Sequence, residues 1–254
     1  DADDVPAPTL LAEHVEWHRR YADPNCAVLG YTALSADLHA DPLMHFVTEV
    51  DTHLFSYGSL THGQTLDFSG FWGGRTSCKR SFLLDHGVFD HRFTFGCEDI
   101  ELAFRLSKHG LRVIYNQRAV TTMVRAIGVT DFCARLWRQG RSNYLFSRTH
   151  PDPAVQRWTE ADRFNADGWT RSGYDRALGV VQTLDRMARR RGDRGLPLRN
   201  DEWSLLHAAY REALGAAKHG GFLEAQCEER ARRTVIGSEQ DVVQSMPNSS
   251  VDSR

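Results

Sequence analysis

The stretch 97–116, CEDIELAFRLSKHGLRVIYN, decides how this chain is read. Ile100, Ala103, Phe104 and Leu106 form an apolar stripe at helical spacing, and Glu101 and Arg105 stand one turn apart, where opposite charges attract. The spacing predicts a helix that Gly110 ends, since glycine takes the left-handed closing turn at no steric cost. LRVIY, 111–115, then has the branched and aromatic composition of a buried strand. A helix handing directly to a strand is the repeating unit of an α/β fold.

Working outward, TLLAEHVEWHRR (9–20) predicts a helix with Leu10, Leu11, Val15 and Trp17 on its apolar side. CAVLGYT (26–32) reads as a buried strand whose apolar run ends on Gly30, and DPLMHFVTEVDTHLFSYG (41–58) as mostly helix, opened by Asp41-Pro42. LDFSGFWGGRTSCKRSFLLDHGVFD (66–90) predicts a strand, a glycine turn and a short helix stopped by Gly87. Residues 130–149 predict an arginine-rich helix. After His150 the character changes: HPDPAVQRW is a connector, and the remainder of the chain predicts helices without strands. The expected division is 1–150 for an α/β region, 151–235 for a helical extension, and 236–254 for a polar, disordered tail.

A formal charge of −2 supplies no concentrated basic surface, which argues against a nucleic-acid partner. No apolar run reaches the roughly 20 residues a membrane helix needs. The five cysteines are odd in number and lack C-x-x-C spacing, which fits reduced thiols in a cytosolic setting better than a disulfide framework or structural zinc. RMARRRGDR (186–194) reads as a solvated helix end, with contact to an anionic membrane surface as the rival.

The motifs stand in a telling order: Asp1-x-Asp3, FWGG (71–74), GVFDHRFTFGCEDIELAFRLSKHG (87–110) and RQGRS (138–142). This series resembles the catalytic domain of the inverting glycosyltransferases of family 2, whose fold is GT-A, a Rossmann-like nucleotide-diphospho-sugar transferase architecture. The resemblance covers residues 1 to about 150 and is strongest from Phe71 to Gly140. It implies that DADDVPAP lies in the middle of a domain, with the first nucleotide-binding strands missing before it. It further implies a nucleotide-sugar donor, a glycan or lipid-linked acceptor and a cytoplasmic location, with peripheral association at the inner face of a membrane left open.

The roles it implies have a chemical rationale. A departing nucleoside diphosphate concentrates negative charge, which a hard divalent cation, Mg²⁺ or Mn²⁺, offsets when carboxylates hold it. Asp1 and Asp3, alternate residues of an extended segment, are the implied ligands. Asp4 is free to cap the following helix. An acceptor hydroxyl must lose its proton as it attacks, and Asp99 is the implied general base, with Glu98 orienting acceptor or backbone. The helix N-terminus would help keep Asp99 ionised; the plainer reading is that both acids only complement the helix dipole. Trp72 offers a face to a sugar ring or is a core aromatic, and Gly73 and Gly74 allow close backbone approach. Arg138, Gln139 and Arg141 stand where relatives place groups near the diphosphate, or lie on a solvated helix.

One departure stands out. Where many relatives carry a metal-binding His, RAVTTMVR (118–125) offers Thr122 or Met123. Two rival functions therefore stay open: a non-catalytic binding or scaffolding protein derived from such an enzyme, and a hydrolase whose metal sits on His14 and His18. The second lacks a third ligand, so the two histidines read as a surface pair.

Overall fold

The computed structural model describes residues 4–164 and 168–244, with side chains to Thr234. In chain order the elements are β1 (Asp4–Pro6), α1 (Leu10–Arg20), β2 (Cys26–Leu34), α2 (Ala36–His39), α3 (Pro42–His45), β3 (Thr65–Leu66), β4 (Thr76–Cys78), α4 (Arg80–His86), α5 (Glu98–Ser107), β5 (Arg112–Met123), α6 (Val129–Thr149), α7 (Pro153–Thr159), α8 (Arg171–Gly192) and α9 (Asn200–Gln244). The chain is a mixed α/β structure with a helical C-terminal part.

The five strands form one mixed sheet in the order β1-β5-β2-β4, with β3 also on β5. β2 and β5 run parallel, from Cys26 opposite Arg112 to Leu34 opposite Met123. β5 is longer than LRVIY implies and continues through a polar half to Met123. β2 likewise runs past Gly30, where the register shifts. A Cβ at Gly30 would lie 2.6 Å from the Ala119 carbonyl oxygen, so this close approach needs glycine.

Both faces of the sheet are covered, which is why CAVL is apolar throughout. On one side α1 lays Trp17 over Cys26, Val28 and Ile114. On the other, α5 packs Leu102, Phe104 and Leu106 into the main core with Leu29, Tyr115 and Phe146. The apolar stripe expected of α1 is not its buried face: Leu11 and Val15 are exposed, and Trp17 is the buried residue. The helix docks instead through polar groups. His14 Nδ1 and His18 Nε2 both lie on Ser77 Oγ, at 2.7 and 2.9 Å, and Asn116 Nδ2 donates to Glu13 at 3.1 Å.

Asp41 caps α3 by accepting from Met44 N, as Asp-Pro predicts, but the helix passes through a π-helical turn and ends at Val50 instead of reaching Gly58. The connector after His150 contains α7, opened by Pro153 and capped by Asp152. The predicted Glu101–Arg105 pair is present at 2.8 Å, with His150 on the same buried carboxylate.

A second core joins the two expected regions. Phe46, Phe132 and Leu136 pack with Tyr210 and Leu214 of α9, across the boundary placed at 150. Helices α6 and α9 cross closely: Cβ atoms at Gly140 and Gly221 would drive into the carbonyl oxygens of Lys218 and Trp137. The α9 backbone continues to Gln244, past the tail boundary expected at 236; residues 245–254 lie outside the described residues.

Candidate active site

The site is assembled where the N-terminus of α5 meets the glycine turn before β4. Gly96 and Cys97 are successive left-handed residues, with φ of 71° and 67°. For Cys97 this conformation costs roughly 1–2 kcal/mol. A buried hydrogen bond from its thiol to Asn143 Oδ1, 3.0 Å, holds it there. Burial pushes the Cys97 thiol well up, so it stays a neutral donor. The double turn delivers Glu98 and Asp99 to the start of α5, facing FWGG.

Asp99 Oδ2 accepts the Gly73 backbone N–H at 2.5 Å, and Oδ1 accepts that of Ile100 at 2.8 Å. A Cβ on Gly73 would come within 3.1 Å of the same Oδ2, so the contact is built for a bare backbone. Gly74 takes φ of 77°, the conformation that turns the chain into β4. The helix N-terminus does not decide the charge state of Asp99. Burial raises its pKa, the Gly73 N–H opposes that, and Glu98 adds to the rise.

Both residues line a cavity of about 1060 Å³, together with Trp72, Gly73, Gly74 and Gln139. One oxygen of Glu98 is buried without a hydrogen-bond partner, and so is Nε of Arg135 across the cavity wall. Burial and neighbouring Arg138 press the Arg135 pKa down, while Glu98 presses back. Trp72 sits between the two readings open to it: its ring packs 5.2 Å from those of Phe55 and Tyr57, yet its edge reaches the cavity.

The RQGRS residues separate. Gln139 lies on the cavity wall against Gly96. Arg138 stacks 3.9 Å over Phe95. Arg141 turns the other way, tied to Glu224 and Glu228 of α9, and does not line the cavity.

Asp1 and Asp3, the expected metal ligands, lie outside the described residues. Asp4 is not a helix cap: it sits in β1 and forms a buried ion pair with Arg75 at 2.5 Å. The N-cap position of α1 is Thr9. Arg75 in turn reaches Thr32 Oγ1 at 3.0 Å and the ring of Phe55, fixing β1 to the glycine turn. Met123, in register with Asp4, is buried and lines the cavity. Among the described residues no cluster of three or more His, Cys, Asp or Glu stands ready for a metal.

His14 and His18 are partly buried, not a surface pair. Lys79 Nζ lies 3.3 Å from His18 Nδ1. The ammonium donates there, so His18 Nε2 carries the proton and donates to Ser77 Oγ, whose hydroxyl passes on to His14 Nδ1. Three of the four ring nitrogens are engaged in docking α1.

The cavity has a wall that the motifs did not indicate. Arg157, Trp158 and Glu160, at the end of α7, and Lys218 of α9 also line it. Glu160 is the other non-glycine residue at positive φ among the described residues, 57°, and its carboxylate lies 3.6 Å from Lys218 Nζ. Arg75 follows FWGG directly and Arg135 lies one turn before Arg138, so adjacency was a usable signal for both. Lys218 stands 119 positions beyond Asp99, and nothing in its own helix marks it.

No protein-family model matches this chain, and no curated protein is significantly similar to it.

Proposed function

We propose that this chain is an inverting glycosyltransferase of the GT-A, family 2 type, moving a sugar from a nucleotide-diphosphate donor to a hydroxyl acceptor. The observation that carries the reading is the Gly73 N–H bond to Asp99. Two motifs 26 residues apart meet at one carboxylate on the wall of a large cavity. In this reading the acceptor oxygen bonds to the anomeric carbon as the bond to the diphosphate breaks on the opposite face, and Asp99 takes the hydroxyl proton. A raised pKa suits that role, since it makes the carboxylate a stronger base. The bonds from Gly73 and Ile100 fix the carboxylate while leaving each oxygen a lone pair. The unpartnered Glu98 oxygen is ready to accept from a sugar hydroxyl, and Arg135 offers positive charge to the leaving group. A divalent cation belongs to this reading through Asp1, Asp3 and the phosphates, where it would offset leaving-group charge. The α7–α9 wall, with Trp158, Glu160 and Lys218, is assigned to the acceptor.

The test is release of nucleoside diphosphate from a panel of nucleotide-sugars, with Mg²⁺ or Mn²⁺ added. Asp99→Asn is expected to lower turnover by about 10²–10⁴ while the far-UV spectrum is kept. Turnover equal to wild type would remove Asp99 as base. Nucleotide-sugar binding without release in the wild type would favour the non-catalytic binding protein.

A further inference from the structure

Helix α8 buries one side and leaves the other to solvent, and its arginines divide between the two. Arg189 grips Asp41 and Asp185, and Arg191 holds Glu202 and the Pro197 carbonyl. Arg176, Arg186, Arg190 and Arg194 are exposed, and none has an ion pair or side-chain hydrogen bond among the described residues. At 3.6 residues per turn, Arg176, Arg186 and Arg190 fall within about a third of the circumference, with Val180 and Met187 at its edge. Arg194 follows just past the helix end. The carboxylates offer little compensation: Asp175 is paired with Arg171 and Asp185 is buried against Tyr210, which leaves Asp193 at the C-cap.

The same face carries exposed apolar side chains. Val180 is 49% exposed and Met187 58%. Leu196, 52% exposed, is folded back onto the helix end by its N–H bond to the Arg191 carbonyl. Unpaired arginines flanked by outward apolar groups, on a helix whose opposite side is anchored, suit an anionic bilayer surface. The guanidinium groups meet headgroups and the apolar side chains reach the acyl boundary. A nucleic-acid backbone would use the arginines but give Val180, Met187 and Leu196 nothing to contact.

We propose that this face of α8 docks the protein, lying flat, on an anionic lipid surface. The attachment is peripheral, since no helix among the described residues is long and apolar enough to cross a membrane. The proposal is independent of the transfer reaction.

Co-sedimentation of the full chain with vesicles tests it. Vesicles of phosphatidylcholine are compared with vesicles carrying about a quarter phosphatidylglycerol, at about 0.1 M salt. The wild type is expected to sediment with the anionic vesicles and stay in solution with the neutral ones. Each arginine is worth roughly fivefold in partitioning, so Arg186→Gln with Arg190→Gln and Arg194→Gln lowers it roughly a hundredfold. These side chains are exposed and hold no ion pair or side-chain hydrogen bond among the described residues, so the circular dichroism spectrum is unchanged. Val180→Ser with Met187→Ser lowers partitioning several-fold as well. No sedimentation with anionic vesicles, or binding indifferent to the triple variant, overturns the proposal. Equal binding to duplex DNA, with the Ser variants behaving as wild type, also overturns it and makes the face a general polyanion site.

Discussion

At the scale of single residues, Asp99 is the position where the proposed chemistry and stability pull apart. Burial raises its pKa above the ordinary aspartate value and the Gly73 N–H only partly offsets this. A base must be ionised to act, so the acid limb of kcat/KM is expected above about 3.9, the value of a free aspartate. Gly73→Ala pushes a methyl toward Oδ2, weakens the foremost of the backbone bonds that favour the charged form, and moves that limb higher still. The sign for stability is opposite. A group whose pKa is raised in the fold stabilises it below the unfolded pKa, and that contribution is lost as pH rises through the folded one. Asp99→Asn keeps an acceptor for Gly73 and removes the charge. An amide has one acceptor for the two N–H groups of Gly73 and Ile100, so the variant loses a bond at every pH. Its urea midpoint relative to wild type should still rise from acid to neutral pH, and a relative midpoint that falls over that window would contradict the burial argument. Glu98, Asp99 and the glycine turn could be singled out from the order of the motifs, each of which is weak alone. Their contact was not legible, because Cys97 sets it: a non-glycine in a left-handed conformation leaves no trace in composition.

At the scale of elements, sequence patterning worked where burial is apolar and failed where it is polar. Helix α5 and the first half of β5 were legible because one apolar side faces one core. Helix α1 was not: its stripe of Leu11 and Val15 faces solvent, and it is seated by His14, His18 and Ser77. The second half of β5 was missed for the same reason, since Asn116 and Thr121 are buried polar residues, satisfied by Glu13 of α1 and by Thr32 of β2. Polar docking brings a pH dependence. Burial lowers the pKa of both histidines, with His18 depressing His14 and Lys79 depressing His18. Groups of this kind must stay neutral in the fold. Their contribution is present above the unfolded value of about 6.5 and is lost as pH falls through the window below it. Urea midpoints are expected to drop over that window, and His14→Gln with His18→Gln should flatten the drop. Some slope should survive, because burial also lowers His45 and His207. An unchanged slope in the double variant would show that His14 and His18 do not carry the pH dependence.

At the scale of the whole molecule, the expected boundary at 150 marks a change of composition and not a division of the core. Phe146 belongs to the core under the sheet, while Phe132 and Leu136, on the same helix, belong to the core shared with α9. Composition cannot reveal this, because a helix feeding two cores looks like any helix with a broad apolar face. The glycines that let α6 and α9 touch also place Lys218 beside the cavity, so the architecture links cavity wall and helical part mechanically. The chain should accordingly unfold in one transition. Gly221→Ala drives a methyl into the Trp137 carbonyl and must part the two helices. Overpacking of this kind costs up to about 3 kcal/mol, roughly 6–12 °C in Tm at this size. Far-UV ellipticity follows the helices, and labelling of Cys26 and Cys97, both buried, follows the sheet side. The two signals should shift together in Gly221→Ala. Loss of ellipticity several degrees before Cys26 and Cys97 react would mean that the helical part melts alone, and the cavity wall it supplies would then be an independent unit.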